Sequence, residues 1–336
     1  MRLLCNFMVV LVHACPFMYY AQSLDYWVMI FLTCYLGQLL LPTLFLVSGW
    51  LCFRSYSMTD YGRRIKNRVR RLLVPFVCWN VLYVVLFSAI SLVNARAGGQ
   101  LAKHNILSLC GMSMAVLPLP WGAPLDSPTW FMRDLFFLFL MSPLLWLIYR
   151  KIGQIAAWFV ILLPIAVTLC FRTSFLWFRP YAFSAFCLGG LLAFKRADLV
   201  VFCRERRTWL IPMSGLAMVV AFLLRYFCLA NTTASGVGEK DVCYFLAAPL
   251  LICFADEIHA LTHGDFVNKW LAPTGFFVYC SHIIIVSILM HALKGRLPCT
   301  LTSLIITLGT LAVVVSWYHV WKRLSPGSLK WFDGTL

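Results

Sequence analysis

Residues 2–13 read Arg2-Leu-Leu-Cys-Asn-Phe-Met-Val-Val-Leu-Val-His13. Ten residues separate the arginine from the histidine. On an α-helix, eleven steps return the two side chains to within about 20° of one face, with Asn6 within about 40° of it. The rise sets His13 about 16 Å deeper than Arg2. If Arg2 marks a membrane edge, His13 lies near mid-bilayer, where an ionisable side chain is costly and marks function by default. An imidazole there can be tuned close to neutrality, which suits proton transfer.

The rest of the chain supports a membrane setting. Of its 336 residues 62% are hydrophobic and only 12% charged, more apolar side chains than a soluble domain of this size can bury. Ten apolar segments lie near residues 3–21, 26–53, 72–93, 129–149, 155–171, 180–195, 208–229, 241–256, 275–294 and 299–321, most of them reaching the roughly 20 residues of a span. Those at 155–171, 180–195 and 241–256 are short, as tilted or re-entrant helices are. The first segment carries Asn6, His13 and Pro16 and reads as a retained helix rather than a cleaved signal. The fold class expected is all-α: a polytopic membrane protein of about ten helices forming one domain over 1–336.

Lys and Arg outnumber Asp and Glu 28 to 12. With the N-terminus in the cytoplasm, the inner loops 54–71, 150–154, 196–207 and 257–274 and the tail from 322 hold most of the basic residues. This is the positive-inside pattern with both termini cytoplasmic, and it explains the basic balance without nucleic acid. Most of the fourteen cysteines sit singly in apolar segments and read as small buried hydrophobes. Cys110 and Cys299, in outer loops, are the pair to watch. No metal spacing, phosphate loop or dinucleotide fingerprint occurs. Asn231-Thr232-Thr233 is a glycosylation sequon in an outer loop.

Four constellations carry candidate chemistry. Arg2, Asn6 and His13 form the first. The basic run 63–71 is the second: Arg68 and Arg71, three apart, share a helix face, and paired guanidinium groups suit phosphate. A basic cluster before a membrane helix equally serves topology and anionic lipid. The third is Trp130, Arg133 and Asp134, where the fourth helix enters from outside. An indole stacks on sugar rings and the charged pair offers hydroxyl partners, although a belt tryptophan beside a neutralised ion pair accounts for the same residues. The fourth is Tyr279 and His282 in the ninth segment. His282 sits at a depth comparable with His13, so two imidazoles could line one polar cavity; a Tyr–His bond joining two helices is the simpler alternative. Pro42 and Gly49 in the second segment, and Gly189-Gly190 in the sixth, bend a helix or admit a close neighbour.

In this order the elements resemble the membrane acyltransferase family 3, polytopic O-acyltransferases of cell-surface glycans, in the branch without an appended extracytoplasmic domain. Residues 2–14, RLLCNFMVVLVHA, are similar to the family's opening Arg, ten residues, then His. LPTLFLVSGWL (41–51) resembles its second-helix ending, and Arg68-Val-Arg-Arg71-LLVPF its Arg-x-x-Arg. TWFMRDLFFLFLMSPLL (129–145) follows its Trp-Phe-Leu-x-x-Leu pattern, with Met132 in place of the usual Leu, and FVYCSHIIIV (277–286) its Tyr-x-x-His helix.

The resemblance implies transfer of an acyl group, acetyl first and succinyl second, from cytoplasmic acyl-CoA to a hydroxyl of a polysaccharide, glycolipid or related sugar, with no metal. It makes His13 the essential histidine. Arg2, Arg68 and Arg71 become arginines needed for activity at the donor, and a bacterial inner membrane the expected location. In the mechanism expected, His13 is the general base, Arg2 or a helix hydroxyl steadies the oxyanion, and Tyr279 and His282 wall the cavity; an acyl-histidine relay is compatible with the same residues. Membrane lipids and further copies of the chain complete the expected partners. The alternative function is a transporter or flippase of a lipid-linked sugar.

Overall fold

The computed structural model describes residues 2–15, 24–96, 126–171, 179–229, 237–262, 264, 267–293 and 296–336. Cys110 and the Asn231 sequon lie outside the described residues. The regular structure that is described is all helix, with no strand among those residues. The principal helices are α1 (Arg2–His13), α2 (Leu24–Arg54), α3 (Tyr61–Leu86), α4 (Ser127–Leu140), α5 (Ser142–Ile152), α6 (Gln154–Phe171), α7 (Pro180–Phe194), α8 (Arg207–Leu229), α9 (Val237–Ala247), α10 (Val267–Leu293), α11 (Cys299–Leu324) and α12 (Pro326–Asp333).

Helix occupies each of the ten apolar segments. By length and composition, four described helices can cross a bilayer alone: α2, α3, α10 and α11. The pair α4–α5 makes a fifth if its 47° bend lies within one span. The shorter apolar helices fall in α6, α7, α8 and at 242–253. They expose Phe159, Leu162, Leu216, Val219 and Leu223, an apolar surface that lipid, not water, would cover.

Prolines shape the irregular turns. A helical proline donates no N–H and collides with the carbonyl four residues back. Before Pro42, α2 loosens into a π turn at Phe31–Leu36 and tightens into a 3-10 turn at Gly37–Leu39. Before Pro75, α3 widens into a π turn at Val69–Leu73 that starts directly after Arg68 and contains Arg71. Pro143 opens α5 at the bend with α4.

At the centre, α2 crosses α7 with backbone against backbone. A Cβ on Gly49 would stand 2.0 Å from the Phe186 carbonyl oxygen, and one on Gly189 would stand 2.0 Å from that of Leu46. Gly190 lets the Phe53 ring in, where an added Cβ would meet it at 2.8 Å. Around this crossing, Phe45, Leu46, Phe186 and Cys187 are fully or almost fully buried. The Thr43 hydroxyl shares its proton between the Leu39 and Ala248 carbonyls, at 2.8 and 2.6 Å, tying α2 to the segment at Ala248.

The amphipathic α12 lies along α3: the Trp79 indole donates to the Phe332 carbonyl at 2.9 Å. Gly334 ends α12 with φ +72°, in left-handed backbone that favours glycine. A Cβ there would also lie 3.0 Å from the Arg71 carbonyl oxygen.

Candidate active site

Helices α1 and α10 bring His13 and His282 together. His282 Nε2 lies 3.3 Å from His13 Nδ1, with ring centroids 5.0 Å apart at 61°. The surrounding carbonyls fix the proton order. His282 Nδ1 faces the carbonyls of Val278 and Tyr279 at 3.0 and 2.8 Å. His13 Nδ1 faces that of Val9 at 2.9 Å. A carbonyl oxygen only accepts, so in the neutral pair both Nδ1 atoms carry the proton. His13 Nδ1–H is then shared between Val9 and the lone pair of His282 Nε2. His13 Nε2 is left with a lone pair and no hydrogen-bond partner among the described residues. That is the form in which an imidazole accepts a proton.

His13 lines a small recess with Val9, Val12, Gly37, Leu41, Pro128, Trp130 and Tyr279. The Tyr279 hydroxyl donates to the Pro128 carbonyl, tying α10 to the start of α4. Asn6 is also buried, beside Gly275 of α10.

Beyond Tyr279 the start of α4 is polar and buried. Asn80 donates to the Phe76 carbonyl at 2.8 Å and to Thr129 Oγ1 at 3.2 Å, and accepts from the Asp126 N–H at 3.0 Å. Thr129 donates to the Asp126 carbonyl at 2.7 Å. The Asp126 carboxyl is fully buried, next to the Tyr83 hydroxyl. One turn on, Arg133 and Asp134 form a buried ion pair: both Nε and an Nη of Arg133 reach Asp134 Oδ1, at 2.9 and 2.8 Å. Arg179 sits 4.1 Å over the Trp130 ring and acts electrostatically on Asp134. One face of Trp130 is therefore covered by a guanidinium rather than open to a sugar.

A second concavity, of about 270 Å³, opens where α2, α3 and α5 converge. Arg64, Arg68 and Arg71 all line it, with Tyr56, Tyr61, Asn67 and Ser142 as polar neighbours. Arg68 lies 4.1 Å over the Phe139 ring. Arg64 donates to the carbonyls of Cys52 (3.2 Å) and Ser55, bracing the end of α2. Sparsely hydrated guanidinium groups on one wall fit phosphate better than a scattered surface charge would. Among the described residues, no cluster of three or more metal-ligand side chains occurs.

Every predicted site residue except Arg2 has a described side chain; Arg2 begins α1, and its side chain lies outside the described set. The structure gathers His13, Tyr279 and Trp130 around one recess, with His282 against His13, and Arg68 with Arg71 around another, while Arg133 and Asp134 pair with each other. Sequence reasoning missed Asn80, Asp126 and Arg179 at the first site; at the second it held Arg64 only as one member of the basic run 63–71. Arg64 lay hidden in a run that topology already explained. Asp126 and Asn80 sit in separate segments with no periodic signal joining them. Cys299 lies 3.6 Å, sulfur to sulfur, from Cys15 just past the end of α1.

The sequence matches the Acyl_transf_3 family, described as an acyltransferase domain, over residues 1–321. The succinoglycan biosynthesis protein ExoH of Rhizobium meliloti (strain 1021) is 30% identical over 174 residues, 51% of this chain and 45% of that protein. The match thus spans less than half the length of that relative. No solved structure matches the chain significantly.

Proposed function

Because this chain belongs to the acyltransferase family just described, we propose that it moves an acyl group, acetyl in the first instance, from acyl-CoA to a hydroxyl of a polysaccharide or related glycan, with His13 as general base. The observation that carries the reading is the histidine pair itself: His13 Nδ1 is taken up by the Val9 carbonyl and His282 Nε2, and His13 lines a recess where α1, α2, α4 and α10 meet. The relative acting in succinoglycan biosynthesis supports a polysaccharide acceptor.

In the proposed reaction, His13 Nε2 takes the proton of the acceptor hydroxyl as its oxygen attacks the thioester carbonyl. The tetrahedral intermediate collapses, the carbon–sulfur bond breaks, and the imidazolium returns the proton to the leaving thiolate. A positioned base contributes typically ~10²–10⁴-fold. Arg64, Arg68 and Arg71 hold the phosphates of coenzyme A. Arg2 lies about 16 Å along α1 from His13, so it belongs with the donor rather than with the oxyanion. The buried polar group around Asn80, Asp126, Thr129, Arg133 and Asp134 forms the acceptor side, with Trp130 and Tyr279 between it and His13.

The location proposed is a bacterial inner membrane, with both termini cytoplasmic so that the basic concavity meets cytoplasmic donor. Membrane vesicles carrying the wild type or His13→Ala, supplied with radiolabelled acetyl-CoA, test the reading. Label should reach a glycan or glycolipid fraction with the wild type alone. Equal labelling by an equally inserted His13→Ala protein sinks it, and label retained on the wild-type protein exchanges the general base for an acyl-histidine relay.

A further inference from the structure

We propose that the recess beside His13 is an acyl pocket for a short, uncharged chain, and that Val12, Gly37 and Leu41 form the wall that limits its length. This rests on the reading of His13 as the base of acyl transfer. The recess holds about 30 Å³. At roughly 10–15 Å³ per water, that is space for about two waters, or the two carbons and one oxygen of an acetyl group.

The wall is closely packed. A Cβ on Gly37 would already lie 2.5 Å from Val12 Cγ2 and 3.8 Å from the Met8 carbonyl. Helices α1 and α2 therefore touch at the base of the recess. Leu41 stands one turn further along α2, immediately before Pro42, where the helix has no N–H with which to shift register. In a tight apolar pocket one surplus methylene changes the rate by ~10–200-fold.

The lining also selects against charge. Apart from His13, its residues are apolar or aromatic, and the Tyr279 hydroxyl is engaged by Pro128. Among the described residues no Lys or Arg lines the recess itself, and Arg179 is taken up by the Trp130 ring at 4.1 Å. A dicarboxylic acyl group such as succinyl would press its carboxylate against Val12, Gly37 and Leu41, none of which can pair with it, and a buried charge left unpaired is costly.

The experiment uses membrane vesicles containing the full chain, with radiolabelled acetyl-, propionyl-, butyryl- and succinyl-CoA at matched concentrations. For the wild type, kcat/KM should fall at least tenfold from acetyl to butyryl and at least a hundredfold from acetyl to succinyl. Leu41→Ala or Val12→Ala should raise the butyryl-to-acetyl ratio at least tenfold while succinyl stays excluded. Wild-type use of butyryl or succinyl within threefold of acetyl overturns the pocket. An unchanged ratio in both variants, each still transferring acetyl, overturns the assignment of the wall. If neither variant inserts, the wild-type series decides alone. No transfer from any of the four thioesters overturns the acyl-CoA reading beneath, and the pocket with it.

Discussion

His282 Nε2 stands 3.3 Å from His13 Nδ1, on the side of the His13 ring away from its uncommitted nitrogen. His282 thereby acts on His13 through its orientation and tautomer, without offering a second base to the acceptor.

Replacing His282 by Ala should therefore slow the reaction without abolishing it. Loss of partners that orient histidines at metal sites costs about 10- to 100-fold, and a similar drop in kcat is expected here with little change in KM for acyl-CoA. His13→Ala should fall to background. A donor series with both variants checks this. Equal and complete loss in the two would place His282 among the reacting groups.

Arg68→Ala and Arg71→Ala should each raise KM for acyl-CoA by about tenfold or more, since a hydrogen bond to a charged group is worth ~1.5–3 kcal/mol. Maximal rate at saturating donor should hold. Arg68→Lys should recover only part of the loss, because a lysine cannot copy the planar fork or its stacking over Phe139. Initial-rate kinetics at several salt concentrations make the comparison. Unchanged donor KM in all three variants would leave the basic concavity as a lipid or topology feature.

Gly49→Ala and Gly189→Ala should each destabilise the protein. The added methyl would meet a backbone carbonyl at 2.0 Å, and backbone cannot rotate away as a side chain can. Overpacking typically costs ~1–3 kcal/mol, and these contacts belong at or above the upper end. Thermal unfolding of the detergent-solubilised protein reports the loss, with Gly62→Ala, where the added Cβ meets open space, as the comparison.

Asn80→Leu should weaken the start of α4. Asn80 satisfies the buried Asp126 N–H and pairs with Thr129, and a stranded buried donor costs ~1–3 kcal/mol. The lower stability should come with a raised KM for acceptor and an unaltered KM for acyl-CoA, measured on the same preparations. A change in donor KM alone would contradict the division into two sites.

The helical class was legible because membrane helices are written in unbroken apolar runs, and the irregular turns of α2 and α3 come just ahead of prolines plain in the sequence. The depth match between His13 and His282 followed from counting residues along two helices. The partnership of Gly49 with Gly189 did not. Small residues announce that some neighbour comes close, not which one, because the face each helix presents is set by all the others at once. The Asn80–Asp126–Thr129 group was invisible for a related reason. Asn80 lies 46 and 49 residues from Asp126 and Thr129, and single polar residues in apolar segments or loops have no pattern to correlate. The basic run was visible, but topology accounted for it so well that Arg64 drew no separate notice.

Leu41 borders the histidine recess and Leu51 the basic concavity, and both belong to α2, pinned between them at Gly49. Ten residues of helix put the two about 15 Å apart along its axis. Under the proposed chemistry that single rod works as a gauge of the donor. A thioester whose arm is too short to reach from phosphate anchor to imidazole cannot satisfy both ends at once. Truncated thioesters lacking the nucleotide would compete with water at the recess instead of with coenzyme A at the arginines, and the length of one helix would decide which carriers the protein reads.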